Sequence, residues 1–192
     1  EGVREMTLRQ EIADFQKEMI PRIPQEVLST IIKTSAELLE KNLEAQALKV
    51  GDLIPSFMLT DASGTVMSSD LLLQEGPLVI SFYRGGWCPY CNLELRALQK
   101  VLPEIKANNA TLLAISPESP DHTLSTGEVN ELEFPVLSDP GNQVAKKMGL
   151  AFAPAKELLP LFKNNFDWDL VAINGTEKVE LPFPATYVVD RE

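Results

Sequence analysis

Apolar positions follow two different periods along the chain. Up to about residue 48 they recur at helical spacing. Leu8, Ile12, Phe15 and Met19 share one face of a helix over residues 3–20, with charges between them. Pro21 and Pro24 interrupt the pattern, and Pro24 suits the first turn of a second helix running to about Leu48. Val27, Ile31 and Leu38, with Leu28, Ile32 and Leu39, give that helix a wide apolar stripe. Residues 1–48 therefore read as an N-terminal helical arm. It either packs on the rest of its own chain or joins two copies as a homodimer.

From Val50 the texture changes. Phe57–Thr60 and Thr65–Met67 flank Asp61-Ala62-Ser63-Gly64 and predict a hairpin. Ser68-Ser69-Asp70 is a helix cap before Leu71–Leu73. Leu78–Tyr83 and Thr111–Ser116 are continuous apolar runs, the pattern of strands buried on both faces. Between them a helix carries Leu98, Val101, Leu102 and Ile105 to about Ala107, with Pro103 as a kink site. A weak helix reaches about Glu131, Phe134–Leu137 is a short outer strand, and a helix from about Asn142 to Met148 is capped by Gly149. Residues 151–182 lack a period and read as an inserted excursion with a helical part near 155–164. Pro184–Asp190 is a last strand. Strand and helix alternate from Leu78 to Met148, which predicts an α/β domain with a parallel sheet covered on both faces.

Composition narrows the functions. Of 192 residues, 17 are basic and 28 acidic, a net charge of -11 that would repel nucleic acid and anionic membrane. No apolar run approaches the ~18 residues of a membrane helix. The two cysteines, Cys88 and Cys91, cannot build a disulfide scaffold; they fit a reducing compartment, the cytoplasm, and a catalytic role. A zinc site would need two further ligands, and the sequence offers one histidine, His122, in a polar loop. No metal is therefore expected. The cysteines stand as Cys-x-x-Cys where a strand meets a helix, after Gly85-Gly86, which let the backbone turn sharply. A helix N-terminus aimed at the sulfurs favours a thiolate, the species that attacks peroxides and disulfides. Which sulfur attacks depends on thiolate character and access. Trp87 is either core or the rim of this site.

The same stretch resembles the thioredoxin-fold superfamily. Cys88-Pro89-Tyr90-Cys91 is similar to a glutaredoxin dithiol and Trp87-Cys88 to the thioredoxin motif. Pro184-Ala185-Thr186-Tyr187 resembles the segment where that fold sets a cis-proline against the dithiol. Val50-Gly51-Asp52, Pro55-Ser56-Phe57, Phe82-Tyr83, Ile115-Ser116 and Phe134–Asp139 with Val144-Ala145 follow the order of the peroxiredoxins (alkyl hydroperoxide reductase/thiol-specific antioxidant family), over roughly residues 48–150 and 184–190. The resemblance implies a thioredoxin-like α/β fold over 49–192, with a central mixed sheet, helices on both faces and the N-terminal arm outside it. It implies a further strand and helix after Glu192, or a partner covering the open sheet edge.

Laid in register, the family's peroxide-attacking cysteine is Cys91, Cys88 takes its motif threonine's place, and Glu94 its glutamate's. Arg84 stands for the motif's proline, and Pro184 for the arginine that polarises the peroxide; Arg84 offers a replacement guanidinium. Tyr83, Arg84, Trp87, Pro184 and Thr186 would shape the site. The implied activity is reduction of hydrogen peroxide or organic hydroperoxides through a Cys91 sulfenic acid and a Cys88–Cys91 disulfide. A thioredoxin- or glutaredoxin-like donor would reduce that disulfide, with no cofactor. Two alternatives use the same dithiol. One is a thiol-disulfide oxidoreductase with Cys88 attacking and Cys91 resolving; the other is a redox sensor.

Overall fold

A computed structural model describes residues 6–191. The apolar runs Leu78–Phe82 (β3) and Thr111–Ser116 (β4) pair in parallel at the centre of a six-stranded mixed sheet. The hairpin strands are Met58–Asp61 (β1) and Val66–Ser68 (β2). With Val136–Ser138 (β5) and Ala185–Val189 (β8) they complete the order β2-β1-β5-β4-β3-β8. β5 runs parallel to β4, whereas β1 against β5 and β8 against β3 are antiparallel.

Alternation along the strands builds two cores. Leu78, Ile80, Phe82, Leu113, Ile115 and Leu137 point to one face, against helix α6 (Gln143–Lys147) and the turn after it. Leu112, Ala114 and Val136 point to the other and meet Leu95 and Leu102 of helix α4 (Pro89–Ala107). Each fully buried leucine contributes about 1.5–3 kcal/mol of transfer free energy. α3 (Ser69–Glu75) lies against the first core through Leu72 and Leu73, and α5 (Pro120–Val129) follows β4. No helix among the described residues is long and apolar enough to cross a membrane.

Several elements depart from the sequence pattern for local reasons. The arm's first helix, α1, is Leu8–Met19, opened by a capping box between Thr7 and Gln10; residues 1–5 lie outside the described part. Its partner α2 (Gln25–Glu40) starts after Pro24 but ends well before Leu48, because Asn42 turns left-handed. The segment beyond is tied to the domain by the Leu48 N–H donating to the Met148 carbonyl, 3.1 Å. α4 runs through Pro103 as one helix. The serine cap before α3 is rearranged: Ser69 Oγ accepts the Phe57 N–H at 2.9 Å, and Ser68 makes no side-chain cap. β5 is an inner strand rather than an outer one, since β1 returns to pair with its free side.

The excursion is more ordered than its lack of period suggests. It opens and closes in a short antiparallel pair, β6 (Ala151–Phe152) with β7 (Leu181–Pro182), and holds two helices, α7 (Leu158–Phe166) and α8 (Leu170–Asn174). Leu170, Val179 and Leu181 form a small core of its own, against which Trp87, Phe162 and Trp168 pack.

Candidate active site

β3 ends at Phe82, and the next six residues carry the chain to the first turn of α4. Pro89 opens the helix, its missing N–H and fixed φ both suited to that position. Cys88 is the N-cap residue, where an acceptor meets free backbone N–H groups. Both sulfurs are free and only 2% exposed.

Their environments push them apart. Cys88 is lowered to about 6. The thiol of Cys91 donating to it is the main cause; burial opposes, while the Arg84 charge and the N–H groups of Cys91 and Tyr90 add to the lowering. Cys91 is pushed well above its ordinary value by the hydrogen bond it gives to Cys88, by burial and by the charge on Cys88. Arg84 Nη2 stands 3.1 Å from Cys88 Sγ. Burial works against the guanidinium charge, but the two sulfurs outweigh it and hold Arg84 above its usual value. The guanidinium also lies 6.0 Å from the Trp87 ring centre.

The Gly85-Gly86 turn admits no side chain. Gly85 has φ +150°, and a Cβ there would sit 2.2 Å from Trp87 Nε1; on Gly86 it would sit 2.1 Å from Thr126 Oγ1. Side chains hold both ends of Gly86. Its N–H donates to Glu118 Oε1 at 2.9 Å, and its carbonyl accepts from Asn92 Nδ2 at 2.7 Å. Asn92 Oδ1 in turn accepts from Asn130 Nδ2 at 3.1 Å, and Arg96 Nη1 donates to Asn130 Oδ1 at 2.8 Å. Glu118, Asn92 and Asn130 were not legible as site residues. The one available signal was an acidic residue two positions beyond a continuous apolar strand, at the carboxyl edge of the parallel strands where α/β sites gather.

Tyr83 is buried at the end of β3 and donates to Glu118 Oε2 at 3.1 Å; burial, then the nearby carboxylate, pushes its phenol well up. Trp87 packs both on the core that holds the two cysteines and on the aromatic group of the excursion, 5.3 Å from Trp168 and 5.9 Å from Phe162 between ring centres. Thr186 reaches Glu94 Oε1 at 3.5 Å; burial raises the Glu94 carboxyl, and this bond opposes the shift. Pro184 differs from the resemblance, for no peptide bond among the described residues is cis. The chain leaves β7 extended, with the Phe183 N–H on the Leu150 carbonyl, and enters β8 directly at Ala185, the partner of Phe82. His122 is exposed on α5.

Beside Arg84 lies a cavity of about 120 Å³. Arg84, Trp87, Phe152 and Phe162 line it from the domain, and Thr34 and Leu38 close it from the arm's α2. Arg84 Nε and Trp87 Nε1 are buried and have no hydrogen-bond partner among the described residues. The cavity is thus of mixed character, with Ser35, Glu37 and Lys41 of the arm among its lining beside the aromatic rings.

A low-pKa cysteine at a helix N-terminus, beside a second thiol and a guanidinium, is a redox arrangement. Residues 50–192 match the AhpC/TSA family. The chain belongs to that family. It is a peroxiredoxin, an oxidoreductase of the thiol-peroxidase class, on a thioredoxin-like α/β fold. It is 29% identical to a putative peroxiredoxin of Mycobacterium tuberculosis over 119 residues, 62% of this chain and 77% of that one. It is 30% identical to peroxiredoxin Bcp of Escherichia coli over 104 residues, 54% of this chain and 65% of the relative. The crystal structure of peroxidoxin BcpB from Mycobacterium tuberculosis superposes with a TM-score of 0.59, covering 75% of this chain and 80% of its own at 25% identity.

Proposed function

We propose that this peroxiredoxin reduces peroxides with Cys88 as the attacking thiolate and Cys91 as the resolving thiol. The observation that carries the reading is the place of the Cys88 sulfur, at the N-cap of α4 with Arg84 Nη2 at 3.1 Å; its thiol is lowered, chiefly by the Cys91 thiol beside it. In the first step the Cys88 thiolate attacks a peroxide oxygen. The O–O bond breaks, a sulfenic acid forms on Cys88, and the leaving oxygen takes a proton and departs as water or alcohol. Arg84, beside the sulfur, supplies the guanidinium that is missing at Pro184. In the second step the Cys91 sulfur attacks the sulfenic sulfur, forming the Cys88–Cys91 disulfide. The expelled hydroxide leaves as water with the Cys91 proton. The two residues lie one helical turn apart, so their sulfurs meet without unwinding α4. An external dithiol protein of the thioredoxin or glutaredoxin kind then returns two electrons and two protons, as a cytoplasmic setting would allow.

The cavity beside Arg84, with Trp87, Phe152, Phe162 and Leu38 among its lining, suits organic hydroperoxides as well as hydrogen peroxide. A 120 Å³ space is slightly under the ~150 Å³ that takes up benzene, so it favours compact apolar groups.

A second order of attack rests on the family register, which puts Cys91 in the peroxidatic place. Dimedone trapping during stopped-flow mixing with hydrogen peroxide decides between them. Cys91→Ser is expected to accumulate a dimedone adduct on Cys88, with Cys88→Ser reacting no faster than a free thiol. A rapid adduct on Cys91 in Cys88→Ser reverses the roles. Free-thiol rates in the parent protein remove the peroxidase reading and leave the thiol-disulfide oxidoreductase.

A further inference from the structure

Glu118 is a carboxylate at 2% exposure, two residues beyond β4, and the chemistry proposed above makes no use of it. A buried carboxylate is costly unless its oxygens are satisfied, and here they are. Oε1 accepts the Gly86 N–H at 2.9 Å. Oε2 accepts from Tyr83 OH at 3.1 Å, Ser116 Oγ at 3.2 Å and Thr126 Oγ1 at 3.3 Å. Its backbone is pinned as well: its N–H donates to Ser116 Oγ at 3.4 Å, and its carbonyl accepts from Ser138 Oγ.

These donors come from four places that surround the catalytic turn. Tyr83 immediately precedes Arg84, Gly86 lies two residues before Cys88, Ser116 closes β4, and Thr126 belongs to α5. Thr126 is the same residue whose hydroxyl fills the space beside Gly86. Glu118 therefore ties together the residues on both sides of Arg84. Arg84 and the helix N-terminus act on the Cys88 sulfur only while the turn holds them there.

We propose that Glu118 is a positioning residue that clamps the Tyr83–Gly86 turn and so holds Arg84 and the α4 N-terminus against Cys88. Asn92 is the second jaw, holding the Gly86 carbonyl from the helix side. The clamp acts through geometry. The charged or titratable groups at Cys88 itself are Cys91 and Arg84, and the one facing Glu118 is Tyr83.

The proposal rests on the reading of Cys88 as the low-pKa sulfur, and the experiment separates the two. Fully reduced protein is alkylated with iodoacetamide across pH 4–10, and the labelled cysteine is located by mass spectrometry. In the parent protein the position of the label tests the nucleophile assignment alone. The clamp is tested by the change on mutation, whichever sulfur carries the label. Glu118→Ala is expected to raise the alkylation midpoint by about one pH unit or more, which from a start at about 6 roughly halves the thiolate at pH 7. Glu118→Gln is expected to recover most of that shift, because its amide oxygen still accepts from Gly86 and its amide N–H₂ donates to the rotatable hydroxyls. A folded Glu118→Ala with an unmoved midpoint overturns the proposal, as does a Gln variant shifted as far as Ala. Should Glu118→Ala fail to fold, Asn92→Ala removes the other jaw while leaving Glu118 and its four donors in place. A midpoint raised by half a unit or more then supports the clamp, and an unmoved one overturns it.

Discussion

The turn before Cys88 and the N-terminal arm line one cavity but are held in different ways. Before Cys88 the Gly86 backbone is pinned by Glu118 and Asn92, and α4 sinks Cys91, Leu95 and Leu102 into the core. α1 buries none of its residues, and α2 buries only Val27 and Thr34. α1 rests on α4 through an edge-on contact of Phe15 with Tyr90, 5.4 Å between ring centres, and an ion pair of Glu11 with Lys100 at 2.8 Å. Yet the arm reaches the site at two points: Tyr90 lies between the two cysteines, and Thr34 and Leu38 wall the cavity beside Arg84. Stability is concentrated in the domain, and the arm adds shape at the mouth of the site.

The largest expected effect belongs to the domain. Leu95→Ala removes a side chain with no exposure and should lower unfolding free energy by about 2–5 kcal/mol in urea titrations. A loss below about 1 kcal/mol would erase the contrast with the arm. Next comes Arg84→Met. A sulfur at about 6 is mostly thiolate at pH 7, so the parent's alkylation rate should rise with pH through about 6 and level off above it. Removing the guanidinium takes away a lowering influence, so the midpoint should move upward; a midpoint one pH unit higher roughly halves the rate at pH 7. An unchanged profile would show that the helix end and Cys91 suffice. Leu38→Trp fills the cavity from the arm side and should raise KM for tert-butyl hydroperoxide several-fold while leaving that for hydrogen peroxide in place. Equal shifts for both would remove the arm from the mouth of the site. The smallest effect is expected of Glu11→Gln, at most about 1 kcal/mol and diminishing with salt, since the pair is partly solvated.

Much of the domain was legible because its signals are local. Two uninterrupted apolar strands, a hairpin turn and a dithiol at a strand–helix junction each show their chemistry within a few residues. The inner place of β5 was not legible, because a three-residue strand gives no sign of which neighbour returns to pair with it. The early end of α2 was hidden for a similar reason: the apolar stripe continues past Glu40, but Leu48 serves a docking contact rather than a helix face. The site was half visible. Arg84, Tyr83 and Trp87 flank the cysteines in the chain, whereas Glu118 and Asn130 arrive from far along it. Their hydrogen bonds span 32 and 38 residues, a range at which spacing carries no information. Trp87 had two open readings, and the structure gives it parts of both: it packs on the excursion's small core and lines the cavity.

The pairing of Ala151 with Pro182 and of Phe152 with Leu181 gives the excursion a single narrow stem. Whatever happens beyond the stem, the two ends leave and return at a fixed separation. The sheet therefore registers little of the excursion's length, and closing a longer loop adds only about 0.6 kcal/mol per doubling. A change in the length of α7 or α8 would thus alter the wall of the cavity beside Trp87 while leaving the strand order and the turn before Cys88 in place. The stem uncouples the shape of that wall from the geometry of the sheet.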